Sequence, residues 1–159
     1  FVLIRSYDPL DVISIDTPKG LMATVIYPKI EVATKDARQI LQKKIPLTDA
    51  ITQWGNVGGL ITGLLKSDFG LIGRSLHDVV IEPVRSLLIP GFQEVKDAAL
   101  QAGALGCAIS GSGPSLFSLS SDEDTAHKVA EAKQEAFSKV GIESNTYVSA
   151  INQNGPIVI

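Results

Sequence analysis

The chain has 159 residues, 45% apolar and 19% charged, with 14 Lys plus Arg against 17 Asp plus Glu and a formal net charge of −3. This is the balance of a globular protein with room for one core, and its mild negative charge offers nothing to a nucleic-acid backbone or an anionic membrane surface. A single cysteine, Cys107, excludes a disulfide framework and speaks against a cysteine-based metal site. With no signal peptide and no apolar run of about 18 residues, a reducing, cytoplasmic setting is expected.

The chain opens on Phe1, in mid-strand and without an initiator Met, which reads as one part of a longer protein. Strands are predicted at 1–5 and 11–15, separated by the turn dipeptide Asp8-Pro9, and at 21–28, ended by Pro28. A helix follows in "ARQILQKK" (37–44), capped by Thr34 or Asp36, with its lysines at the negative end of the helix dipole. The next helix spans "PLTDAITQWGNVGGLITGLLKSD", with Leu47, Ala50, Ile51, Trp54, Val57, Ile61, Leu64 and Leu65 forming one inward stripe; Trp54 is thereby assigned to the core. Its four glycines each weaken it by about 1 kcal/mol relative to Ala, which close approach of another backbone would offset.

A third helix is predicted over 69–80, then a proline-kinked connection "IEPVRSLLIPGF", then a helix ended by Gly103 with Phe92, Val95, Ala98, Ala99 and Ala102 inward. Strands at 105–110 and 115–120 flank the loop "GSGP". A helix with acidic residues in its first turn runs to Gly141, turning inward Ala126, Val129, Ala130, the aliphatic stem of Lys133, Phe137 and Val140. A strand at 144–151 and an apolar tail end the chain. From residue 21 the order is β-α-β-β-α-β with extra helices in the first crossover. This predicts an α+β, ferredoxin-like antiparallel sheet with helices on one face.

In the loop, Gly111 and Gly113 permit positive φ or close approach, Ser112 adds a hydroxyl, and Pro114 stiffens the exit. Two readings stand: a four-residue hairpin connection, or a concavity of backbone N–H groups facing an anion. The loop is neither a Walker loop, since no Gly-Lys-Ser/Thr follows, nor a dinucleotide fingerprint, since a strand follows it. Arg38 lies one helical turn from Thr34, and Arg85 sits between Pro83 and Pro90. A planar guanidinium suits a carboxylate or phosphate, although Arg85 could equally pair with Glu82 three residues back. His77 is either a lone general base or a histidine on a helix surface.

"GALGCAISGSGPSLFSLS" (103–120) resembles the third motif of the GHMP small-molecule kinases. "TKDARQIL" (34–41) and "VVIEPVRSLLIPGF" (79–92) narrow that resemblance to the homoserine kinases within the family. The resemblance spans essentially the whole chain. It implies transfer of the ATP γ-phosphoryl to the side-chain hydroxyl of L-homoserine, giving O-phospho-L-homoserine for threonine biosynthesis. It also implies that Thr34, Arg38 and Arg85 bind the substrate and that Gly111, Ser112, Gly113 and Pro114 brace the phosphate loop of another domain.

The family's ATP-cradling motif, Pro-x-x-x-Gly-Leu-Gly-Ser-Ser-Ala, does not occur in these residues, nor does a carboxylate assignable to Mg2+. Residues 1–20 are therefore expected to lead from an N-terminal ATP-binding domain into a GHMP kinase C-terminal domain at 21–159. ATP and Mg2+ belong to the full-length enzyme, this part is expected to bind neither and to be inactive alone, and the resemblance admits a homodimer. Two other readings are a mevalonate-type member of the same family and a non-catalytic ferredoxin-like module that binds an amino acid.

Overall fold

The computed structural model describes residues 1–33, 39–153 and 155. Strands β1 (Val2–Tyr7) and β2 (Leu10–Ser14) pair as an antiparallel hairpin that forms its own two-stranded sheet. The main sheet contains β3 (Met22–Pro28), β4 (Gly106–Ile109), β5 (Leu116–Ser120) and β6 (Ser144–Ala150) in the order β4-β5-β3-β6. Every neighbouring pair is antiparallel, with Ile26 opposite Leu116 on one side of β3 and Val25 opposite Tyr147 on the other. This is the expected ferredoxin-like arrangement, with the predicted strands displaced by no more than a residue or two.

Side chains alternate across the sheet, and each face has its own core. Ile26, Cys107 and Leu116 pack with Val95, Val129 and Phe137 from helices α4 (Phe92–Gln101) and α5 (Glu123–Lys139). Leu119 and Ala23, on the opposite face, pack with Leu64 from α1 (Leu47–Lys66) and Ile72 from α2 (Phe69–Ser75). The sheet therefore carries helices on both faces rather than one: the helices inserted in the first crossover fold back over the face left open by α4 and α5.

Three helix predictions need correction. The helix expected over 37–44 falls partly on residues 34–38, outside the described residues, and residues 41–46 are irregular. Pro46 disfavours helical geometry at Ile45 and itself stands at the N-cap of α1 with φ −58° and ψ 141°. The third helix stops at Ser75 instead of residue 80, because Asp78 draws the backbone N–H groups of Val80, Ile81 and Glu82 into a new turn. Helix α1 is continuous over 20 residues but buries only part of the expected stripe. Ala50 and Leu64 are buried, whereas Leu47, Ile51, Val57 and Leu65 are exposed and Trp54 is 66% exposed. The helix is apolar on two faces, and the sheet covers the face carrying Leu60 and Leu64.

Helix α5 follows its sequence closely: Asp122 Oδ1 accepts the Thr125 N–H at 2.8 Å as the N-cap, and Ala126, Val129, Ala130 and Phe137 are buried. Val140, expected inward, is 42% exposed at the C-cap, where the chain leaves the helix. Lys133 goes further than its stem, because the whole side chain is buried. Its Nζ donates to Thr24 O (3.2 Å), Leu116 O (3.1 Å) and Ser118 Oγ (3.1 Å), tying α5 to β3 and β5. Burial pushes its pKa from 10.5 down to about 8, opposed by the neighbouring Cys107. Among the described residues, no helix is long and apolar enough to cross a membrane.

Candidate functional site

The glycine-rich loop joins β4 to β5. Ser110 N–H donates to Ser115 O at 2.8 Å and closes the hairpin, while Gly113 N–H turns back to Ser110 O at 3.0 Å. Both Gly111 (φ +62°) and Gly113 (φ +81°) adopt the left-handed geometry that glycine supplies without strain. Their surroundings differ. A Cβ on Gly113 would stand 3.2 Å from Ile89 Cδ1, whereas one on Gly111 would meet nothing within 4 Å. Gly113 thus seats the loop on the core, and Gly111 presents its backbone outward.

Arg85 reaches this loop from the proline-bounded connection. Helix α3 (Glu82–Arg85) is a single turn with Pro83 in its first turn, followed by a 3-10 turn over Ser86–Leu88. Arg85 Nη1 donates to Gly111 O at 2.7 Å, across 26 residues of sequence. Ile89, at the end of the same connection, is the residue packed beneath Gly113. The two segments singled out separately in the sequence therefore form one surface, with a guanidinium at the mouth of a glycine loop. Ser112, Gly113 and Pro114 are half-buried around it. Thr34 and Arg38 lie outside the described residues.

The suggested Glu82–Arg85 pairing does not form. Glu82 instead makes an ion pair with Lys96 of α4, and the two side chains are only 8% and 12% exposed. The second Glu82 oxygen, Oε2, is buried without a partner. His77 stands on the connector after α2 rather than on a helix; it is exposed, and its backbone carbonyl accepts from Asn56 Nδ2 at 2.7 Å. A cleft of about 370 Å³ lies beside it, lined by Asp78, Glu82, Ser86 and Lys96 among others.

Sequence reasoning overlooked the residues that hold Arg85 in place. Asp78 Oδ1 accepts from Val80 N–H and Ile81 N–H, both at 2.8 Å, and Asp78 Oδ2 from Glu82 N–H at 3.3 Å. Gln53 Oε1, on α1, accepts from Val79 N–H at 3.0 Å. An Asp a few residues before a Glu-Pro pair is a helix-start signal and could have revealed the role of Asp78. Gln53, Asn56 and Lys96 carried no local sign, since each acts over 14 residues or more.

Residues 60–139 match the family described as GHMP kinases C terminal. Homoserine kinase from Chlorobaculum tepidum is 55% identical over 161 residues, a match covering the whole of this chain and 50% of that protein. The crystal structure of homoserine kinase from Cytophaga hutchinsonii superposes with a TM-score of 0.97 and 58% identity over 99% of this chain and 50% of that one. Phosphomevalonate kinase from Streptococcus pneumoniae shares the fold alone, with a TM-score of 0.67 at 16% identity over 89% of this chain and 43% of that one. The chain spans about half the length of the curated relatives it matches. With the family's model matched over residues 60–139 and the sheet of the Cytophaga hutchinsonii structure reproduced, the chain belongs to the GHMP kinase C-terminal family.

Proposed function

We propose that this chain is the substrate-binding half of a homoserine kinase, a cytoplasmic enzyme that phosphorylates the side-chain hydroxyl of L-homoserine from ATP. The observation that carries the reading is the contact of Arg85 with Gly111 O, in a chain that matches homoserine kinases along its full length. Arg85 offers its planar fork to the substrate α-carboxylate, and Arg38 and Thr34 complete the clamp. Fixing the carboxylate sets the distance from that anchor to the hydroxyl, and positioning is the main demand of phosphoryl transfer. The hydroxyl oxygen forms a bond to the γ-phosphorus as the bond to the ADP oxygen breaks, and the hydroxyl proton is released.

Gly111 to Pro114 face the phosphate loop of an N-terminal domain entered through the β1–β2 hairpin. ATP and Mg2+ are held by that other domain. Among the described residues no group of three His, Cys, Asp or Glu side chains could hold a metal ion.

The test is ADP release by the full-length enzyme with homoserine, mevalonate or phosphomevalonate as acceptor. Homoserine is expected to be the preferred substrate, and a preference for mevalonate or phosphomevalonate would overturn the proposal. Arg85→Ala is expected to raise the KM for homoserine about 30-fold or more while leaving the KM for ATP within about twofold, as removal of a charge-assisted contact to substrate does. Equal increases in both constants would make Arg85 a structural residue. The 159-residue chain alone is expected to show no turnover.

A further inference from the structure

Helix α3 is four residues long, too short to hold its own conformation, so the direction in which Arg85 points is imposed by its neighbours. Glu82 opens that turn and Arg85 closes it. Side chains three apart on a helix are neighbours, and a Glu–Arg pair at that spacing attracts. A carboxylate on the protein placed there would compete with a substrate carboxylate for the same guanidinium. In this structure Glu82 turns instead to Lys96, and Arg85 turns to Gly111 O.

The Glu82–Lys96 pair is a costly way to join α3 to α4. Both side chains are almost wholly buried, and one carboxylate oxygen has no partner. Well-packed apolar residues commonly serve stability as well as such a pair does. Lys96 itself is held firmly: its Nζ lies 5.8 Å from the centroid of the Phe92 ring, and its neighbour Val95 is fully buried on α4. The cation is therefore placed at the edge of the core, and the Glu82 carboxylate meets it there.

We infer that Lys96 is a positioning residue which draws the Glu82 carboxylate away from Arg85, so that the guanidinium is directed at the glycine loop and the carboxylate of the substrate. The inference rests on the homoserine kinase reading and deepens it by assigning a specificity-setting role to a side chain that touches no substrate. Lys96 acts through charge, by occupying an internal competitor.

The test uses the full-length enzyme and four variants: Lys96→Met, Glu82→Gln, the double variant Glu82→Gln/Lys96→Met, and Lys96→Arg. Lys96→Met is expected to raise the KM for homoserine about tenfold, with the KM for ATP within about twofold, because the unpaired Glu82 captures Arg85. Adding Glu82→Gln removes the competitor and is expected to bring the homoserine KM back to within about threefold of wild type. Lys96→Arg keeps the cation and is expected to behave as wild type. A double variant as impaired as Lys96→Met, or a Lys96→Met variant that raises both KM values alike, would overturn the inference.

Thermal unfolding midpoints are measured alongside. Should Lys96→Met not fold, Lys96→Gln with and without Glu82→Gln decides the same question. If Arg85→Ala raises the homoserine KM and Lys96→Met does not, the inference fails while the proposed function stands. If the wild-type enzyme prefers another acceptor over homoserine, the proposed function itself fails.

Discussion

The two faces of the main sheet are covered in different ways. Against one face, α4 and α5 bury Val95, Ala99, Val129 and Phe137 completely, and apart from Lys96 and Lys133 the charged residues of these helices point outward. Against the other, α1 buries Ala50, Gly63 and Leu64 yet leaves Leu47, Ile51 and Trp54 more than half exposed. The first face is a finished amphipathic packing. The second is built from a helix with apolar residues on both sides, so hydrophobicity alone does not tell which side meets the sheet. Small residues mark the side that meets α2: Gly63 admits Ile72, whose backbone N would lie 2.9 Å from a Cβ there, while Gly58 has nothing within 4 Å.

The largest effect should come from the finished face. Phe137→Ala is expected to cost about 3–5 kcal/mol in a urea titration, the usual range for a buried aromatic. A loss below about 1 kcal/mol would mean that α5 contributes less than its burial implies.

The next effect depends on pH. The unfolded chain keeps its lysine proton to about pH 10.5, whereas folded Lys133 releases its own near pH 8. Between those values the unfolded state binds more protons, so stability rises with pH across the interval, by on the order of 2–3 kcal/mol at its upper end. Comparing urea midpoints of wild type and Lys133→Met at pH 7.5 and 9.5, both inside the titration range of about 7 to 11, isolates this group. The gap should shift in favour of the wild type at the higher pH, and a constant gap would refute the assignment.

Glycine substitutions sharpen the contrast within α1. Gly63→Ala forces the Ile72 backbone away and is expected to cost about 1–3 kcal/mol, whereas Gly58→Ala points into open space and is expected to gain up to about 1 kcal/mol. Equal effects at the two positions would erase the distinction between the faces. The smallest effect is expected at Trp54, the sole tryptophan. Trp54→Ala should change the stability of this chain by about 0.5 kcal/mol or less, and the indole should be readily quenched by acrylamide.

What could be read in the sequence was local. Alternation and β-branching marked β3, the Asp122 cap and Gly141 bracketed α5, and the two glycines marked the β4–β5 turn. The ferredoxin-like order followed from the succession of those elements. Missing was whatever depends on residues distant in sequence meeting in space. The stripe on α1 counted Leu64 and Trp54 together because periodicity sums both sides of a doubly apolar helix. The Glu82–Lys96 pair spans 14 residues and competes with a shorter, plausible partner at Arg85. Arg85 and the glycine loop were each singled out, but only folding shows that one rests on the other.

Lys133 has a consequence beyond its titration. Helices slide against sheets most readily by whole turns, about 5.4 Å, because such a shift restores the same pattern of ridges and grooves. A slide of α5 by one turn would still bury alanines, valines and a phenylalanine, and would look acceptable to the hydrophobic effect. It would also carry the Lys133 ammonium away from Thr24 O, Leu116 O and Ser118 Oγ, and losing three buried acceptors at once is costly for a charged group. The buried lysine thus discriminates among near-native packings: it raises the energy of the misregistered ones, and a smooth apolar interface gains a single address.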